Sequence, residues 1–102
     1  MFKEKLLTGK RILITGGGTG LGRAMAEKYL ELGAEIYICG RRKNVLDETA
    51  KELMTAHGGS VKTFDIDIRN ASAVEEMIEK IWDDGPLTGL VNNAAGNFIS
   101  RT

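Results

Sequence analysis

Apolar residues gather into four short runs, at 12–14, 36–39, 61–68 and 90–91, and the stretches between them carry apolar residues at steps of three and four. Short runs that are apolar throughout fit strands covered on both faces, whereas steps of three and four fit helices with one inward stripe. The first helix begins near Gly20, turns Leu21, Ala24, Met25, Lys28 with Tyr29, and Leu32 to one face, and is stopped by Gly33. The second covers 44–57, turns Leu46, Ala50, Leu53 and Met54 inward, and ends at Gly58-Gly59. In the third, Ser72 is read as the N-cap and Glu75 as its capping-box partner, with Val74, Met77, Ile78, Ile81 and Trp82 buried and Gly85-Pro86 closing it.

Strand and helix therefore alternate as β-α-β-α-β-α-β, the pattern of a parallel sheet with right-handed crossovers. The predicted fold is α/β, the N-terminal half of a Rossmann-type doubly wound sheet with strand order 3-2-1-4 and helices on both faces. Strands one and four are then neighbours whose connections leave in opposite directions. The crevice at their carboxyl ends is the expected ligand site, and residues 16–22 and 92–97 both lie on it.

Five glycines crowd the first of these turns: Thr15-Gly16-Gly17-Gly18-Thr19-Gly20-Leu21-Gly22. Glycine takes positive φ and lets a backbone approach closely, and a helix N-terminus offers unpaired N–H groups to an anion, so the turn reads as a cradle for a nucleotide diphosphate. Its spacing, Thr-Gly-x-x-x-Gly-x-Gly, differs from G-x-G-x-x-G, which would need glycine at Leu21. A phosphate loop of the GKT type is excluded as well, because Arg23-Ala24 follow where lysine and a hydroxyl residue are required.

The end of strand two distinguishes NAD from NADP, since a carboxylate there binds both ribose hydroxyls and repels a 2′-phosphate. Gly40-Arg41 stand in this place, near the ~20-residue offset of the acidic residue. No carboxylate is present, and Arg41, backed by Arg42 and Lys43, offers a planar fork for phosphate. The expected cofactor is NADP(H). At the end of strand three, Asp65 and Asp67 alternate onto one side, and Asp67 is the better placed to accept from an adenine amino group. A metal site is not expected there, because no histidine or third carboxylate accompanies the pair. Asn92 and Asn93 can hold neighbouring backbone at a buried strand end, and Ala94-Ala95-Gly96 leave room for a flat ring.

The whole-chain properties narrow the partners. Fourteen basic residues balance fourteen acidic ones with no block of one sign, so there is no footprint for nucleic acid or an anionic membrane, and a small-molecule partner is expected. No apolar stretch reaches the ~20 residues of a membrane span. The single Cys39 lies in an apolar run and suits a buried structural role in a reducing compartment, so a cytoplasmic location is expected. The 102 residues form one domain or part of one, with no repeat or linker. His57, the one histidine, falls at a helix end and reads as a capping or solvated residue.

With these pieces in order, the chain resembles the short-chain dehydrogenase/reductase family along its length. The resemblance rests on residues 15–22, on Asp67-Ile68-Arg69, and on Asn92-Asn93-Ala94-Ala95-Gly96, which is similar to the family's Asn-Asn-Ala-Gly motif with one alanine inserted. Within the family it is most similar to the 2,4-dienoyl-CoA reductases, through the same segments and Asn97-Phe98-Ile99-Ser100. That likeness implies an NADPH-dependent reduction of an enoyl- or 2,4-dienoyl-CoA thioester. It implies cofactor binding by Thr15, Gly16, Gly18, Thr19, Gly20, Leu21, Gly22, Arg41, Asp67, Ile68, Asn93, Ala94, Ala95 and Gly96. Arg41 would bind the 2′-phosphate and also a CoA phosphate, Arg69 would help hold CoA, Phe98 would line the acyl channel, and Asn97 would be the catalytic hydrogen-bond donor to the thioester. Gly40 departs from the serine often found there.

The family's Tyr-x-x-x-Lys lies beyond the position matched by Thr102. Tyr29 is followed four residues on by Gly33 and Tyr37 by Arg41, so neither replaces it. The resemblance therefore implies a cofactor-binding half, residues 1–102, that is inactive alone, leaves strand four as an open edge and requires the remaining half of the fold. For the complete protein it implies a homotetramer. Two alternatives are a reductase of another carbonyl or acyl substrate, and a non-catalytic nucleotide-binding module.

Overall fold

The computed structural model describes residues 6–18 and 20–93. Seven elements follow in strict alternation: β1 (Arg11–Thr15), α1 (Gly20–Glu31), β2 (Glu35–Gly40), α2 (Lys43–His57), β3 (Val61–Asp65), α3 (Ala71–Asp84) and β4 (Gly89–Asn92). All the strands pair in parallel, in the order β3-β2-β1-β4 expected from the sequence. In the register, Ile14 is level with Ile38 and with Val91, and Thr15 with Cys39 and Asn92.

The two central strands are sealed on both faces, which is why they read as unbroken apolar runs. Successive side chains point to opposite sides. Ile12, Ile14, Ile36 and Ile38 meet Ala26 and Leu30 of α1 and Leu46, Ala50 and Leu53 of α2 on one face. Leu13, Tyr37 and Cys39 meet Met77 and Ile81 of α3 on the other. Complete burial of an aliphatic side chain of this size is worth ~1.5–3 kcal/mol, so the sheet centre carries most of the cohesion. The edge strands β3 and β4 are more open, and on β4 Leu90 is 62% exposed.

Three helix details correct the sequence reading. On α1 the inward stripe is Gly22, Ala26 and Leu30, with Met25 and Tyr29 beside it, while Leu21, Ala24 and Lys28 face outward. The stripe is turned by about one residue because Gly22 must lie against the preceding turn, and every fourth residue after it follows. On α2 and α3 the expected cores hold except at Met54 and Trp82, which sit at the margins of their stripes and are exposed. The α3 cap is Asn70, not Ser72: Asn70 Oδ1 accepts from Ala73 N at 3.2 Å, so the helix starts a residue before Ser72. β3 is also shorter than its apolar run. It ends at Asp65, and Ile66 N still donates to Gly40 O at 2.8 Å before a turn closes from Asn70 N to Asp67 O.

Tyr37 carries the one hydroxyl in the α3-side core. It donates to Asp84 Oδ2 at 2.8 Å, and its ring stacks on Phe64 with centroids 6.3 Å apart. Burial first, and the Asp84 carboxylate second, push its pKa from 10.0 up to about 12. A proton held more tightly in the folded chain stabilises the fold fully below the unfolded pKa of 10.0, and this contribution is lost as pH rises through about 12. The stability advantage of the wild type over Tyr37→Phe is therefore expected to shrink between those two values. Denaturant unfolding of both proteins across that interval checks it; an advantage that stays flat would contradict the assignment.

Candidate functional site

The glycine turn joins the carboxyl end of β1 to the first turn of α1, and three neighbours hold it. From β2, the Cys39 carbonyl accepts from Gly16 N at 2.9 Å, with Gly16 at φ 67°. From the chain just past β4, Asn93 Nδ2 donates to Gly16 O at 3.3 Å. From α2, Thr49 Oγ1 donates to Gly18 O at 2.7 Å. Thr15 ties the strands beneath: its buried hydroxyl lies 3.1 Å from Asn92 Oδ1 and 3.4 Å from Val91 O, so its proton is directed at β4.

Two of the glycines, Gly17 and Gly22, are required by space. A Cβ at Gly22 would collide with the Gly16 carbonyl oxygen and stand 2.8 Å from Asn93 Nδ2; one at Gly17 would run into the Ile38 side chain. Gly20, at φ 59°, has open space around its Cβ position and begins α1, whose first N–H groups have no partner within the helix. A turn without side-chain bulk, leading into a helix N-terminus, fits the diphosphate of a dinucleotide. Leu21, 67% exposed, flanks this mouth.

Beyond the turn, the ends of β2 and β3 meet at one carboxylate. Asp67 Oδ1 accepts from the backbone N and Nε of Arg69 at 3.0 and 3.1 Å, and Asp67 Oδ2 accepts from Arg69 Nη2 at 2.8 Å. Arg41 Nη1 lies 3.7 Å from the same Oδ2. The Arg69 contacts, chiefly its side chain and then its backbone N–H, hold the Asp67 carboxyl well below the usual carboxylate range. Alternation along β3 does not position this group, since β3 has already ended; the 67–70 turn does. Ile68 packs its side chain among the α3-side apolar residues. Lys43, expected to add charge beside Arg41, is instead bound to Asp47 at 3.0 Å. A Cβ at Gly40 would meet only Leu46 methyl carbons, at 3.7 and 3.9 Å, so space does not demand glycine there.

Of the residues expected at the site, the fold brings together Thr15, Gly16, Gly18, Gly20, Leu21, Gly22, Arg41, Asp67, Ile68, Arg69 and Asn93 at the carboxyl ends of the strands. Thr19, Ala94, Ala95, Gly96, Asn97 and Phe98 lie outside the described residues. Sequence reasoning missed Thr49. Its signal was a hydroxyl on the inward face of α2, between Leu46 and Leu53, where a polar group is kept only if it finds a partner. His57 was also misread. It is half-buried and not a cap: Nε2 lies 2.8 Å from Glu27 Oε2 and 3.6 Å from Glu31 Oε2, joining the last turn of α2 to α1. These three could present one ligand atom each within 4.8 Å, but Glu31 is exposed and Glu27 only half-buried, and the contact is a polar link between two helices at the surface. Cys39 is buried, and burial pushes its thiol up to about 11, in keeping with a packing role. No helix among the described residues is long and apolar enough to cross a membrane.

Residues 10–101 match the sequence model of a family described as short chain dehydrogenase, and the chain belongs to that family. Among curated relatives, it is 47% identical over 91 residues to a probable 2,4-dienoyl-CoA reductase of Bacillus subtilis, covering 88% of this chain and 35% of the relative. It is 42% identical over 105 residues to probable 2,4-dienoyl-CoA reductase 3 of Caenorhabditis elegans, covering 100% of this chain and 34% of that protein. Among solved structures, a citronellol catabolism dehydrogenase of Pseudomonas aeruginosa superposes with a TM-score of 0.84 at 38% identity, over 90% of this chain and 38% of that one. The chain thus spans about a third of the length of the curated relatives it matches.

Thr49 offers a direct test of how the turn is held. Thr49→Val keeps the shape but leaves the Gly18 carbonyl without its donor, and an expected destabilisation of about 1–2 kcal/mol follows. Urea unfolding measures it, and an unchanged midpoint would remove Thr49 from the support of the turn.

Proposed function

We propose that this chain is the cofactor-binding half of an NADP-dependent oxidoreductase that reduces an enoyl- or 2,4-dienoyl-CoA. The observation that carries the reading is the glycine turn, stripped of Cβ atoms where α1 meets β1 and flanked at the end of β2 by Arg41 in place of a carboxylate. The names of the Bacillus and Caenorhabditis relatives support the acyl-CoA substrate. A neighbouring structure, the L-sorbose reductase of Gluconobacter frateurii complexed with NADPH, supports the phosphorylated cofactor; it superposes with a TM-score of 0.81 at 31% identity.

When bound, NADPH supplies hydride. The chain's own residues would bind and orient it. Backbone N–H groups of the turn after Gly16 and of the first turn of α1 would hold the diphosphate, Gly16 shaping the turn while its own N–H is held by the Cys39 carbonyl, and Thr19 would add its hydroxyl. Arg41 holds the 2′-phosphate through its planar fork. Asp67, kept ionised by Arg69, accepts from the adenine amino group, with the backbone of Ile68 alongside. Asn93 would border the nicotinamide, and the small Ala94, Ala95 and Gly96 would leave room for its ring. Asn97 donates a hydrogen bond where charge develops on the thioester carbonyl, and Phe98 lines the acyl channel.

Arg69 is expected to contact CoA only after exchanging or sharing its Asp67 partner. Proton donation belongs to a Tyr-x-x-x-Lys on the remaining half of the fold, which pairs beside β4 and covers the exposed Leu90. A reducing compartment, cytoplasmic in the simplest case, suits the free Cys39, and the complete protein is a homotetramer.

Two measurements test this. Arg41→Ala is expected to weaken NADPH binding about tenfold to a hundredfold, the scale of charged hydrogen bonds worth ~1.5–3 kcal/mol, with much less effect on NADH. Equal losses for the two cofactors, measured by fluorescence titration, would refute the 2′-phosphate role. Separately, the purified 102-residue chain is expected to show no NADPH oxidation with a 2,4-dienoyl-CoA, while the complete reading frame turns over. A complete protein that reduces a simple ketone and not the dienoyl thioester would favour the carbonyl-reductase alternative, and one that binds NADPH without turnover would favour the binding module.

A further inference from the structure

Asp67 stands between two arginines and does not treat them alike. Arg69 takes both of its oxygens, with three donors at 2.8 to 3.1 Å. Arg41 is left at 3.7 Å from Oδ2, close enough for attraction and outside hydrogen-bond range. The difference has a local origin. Arg69 is only two residues from Asp67, and its own backbone N–H joins the chelate, so few rotors need to be fixed to close it. Arg41 comes from the neighbouring strand end, and its side chain is 68% exposed.

A guanidinium already locked on a carboxylate is a poor phosphate ligand, because the phosphate must first displace the carboxylate. We infer that Arg69 is a specificity-determining positioning residue: by occupying Asp67 it keeps the Arg41 fork available to a 2′-phosphate. This rests on the NADP reading of the site and adds a role for Arg69 distinct from any contact with CoA. Without Arg69, a shift of the Arg41 head by less than 1 Å brings it from 3.7 Å into hydrogen-bond range of Asp67 Oδ2. Asp67 then competes with the phosphate for Arg41. NADH, which has no 2′-phosphate, is indifferent to that competition, so the effect falls on the ratio of the two affinities.

The test uses the protein in its complete reading frame, without acyl-CoA, and reads the NADPH-to-NADH affinity ratio by titration. Arg69→Ala is expected to lower the ratio about two- to fivefold, the scale of an exposed ion pair. Asp67→Asn placed on top of Arg69→Ala removes the competing negative charge and is expected to restore the wild-type ratio, any change in the adenine contact falling on both cofactors alike. A ratio unchanged by Arg69→Ala, or one that stays low in the double variant, would overturn the inference while leaving the NADP reading intact. A wild-type ratio near one would instead overturn the NADP reading, and with it the role assigned to Arg69. Circular dichroism of each variant confirms that the compared proteins are folded.

Discussion

The rest of the molecule depends on the close approach of α1 to the end of β1. Gly22 lies over the Gly16 carbonyl with no room for a Cβ, so the helix is seated lower on the sheet than any side chain would permit. That seat decides which residues of α1 enter the core: Gly22, Ala26 and Leu30 follow from it at successive turns. It also decides where the first N–H groups of the helix open, at the carboxyl edge of the sheet. Packing and site are consequences of a single contact.

The turn is braced from several directions: β2 through the Cys39 carbonyl, α2 through Thr49, and the chain after β4 through Asn93. Each brace satisfies a backbone group that would otherwise be an unpaired polar atom beside an apolar core, at a cost of about 1–3 kcal/mol apiece. A glycine-rich segment loses more conformational freedom on ordering than any other, so such bracing is needed for it to have one shape. Pre-ordering matters for a ligand as well, because the entropy is then spent in folding and not at the moment of binding.

Charge is arranged with the same economy. The chain has no net charge, yet the ends of β2 and β3 place Arg41 and Arg69 around one carboxylate. The local hierarchy between those two cations, one chelated and one held only loosely, gives this edge of the crevice positive groups without an isolated patch of like charges. Lys43 and Asp47 neutralise each other at the start of α2, just past Arg41.

Element order and strand order were legible from the sequence, because they follow from alternation of apolar runs with helical stripes and from the handedness of crossovers. The cluster of glycines was legible too, since no other residue serves a turn of that kind. Tertiary structure decided what depends on distances between segments far apart in the chain. The rotation of α1 came from a backbone contact that hydrophobicity does not encode, because Gly22 has no side chain to count. Asn70 took the cap from Ser72 because the 67–70 turn delivers it first, and His57 found Glu27 and Glu31 only when α2 lay beside α1. Thr49 and the unequal hold of Asp67 on its two arginines are likewise products of packing. A sequence specifies which groups are polar; only the fold determines which polar groups satisfy one another and which are left to meet a ligand.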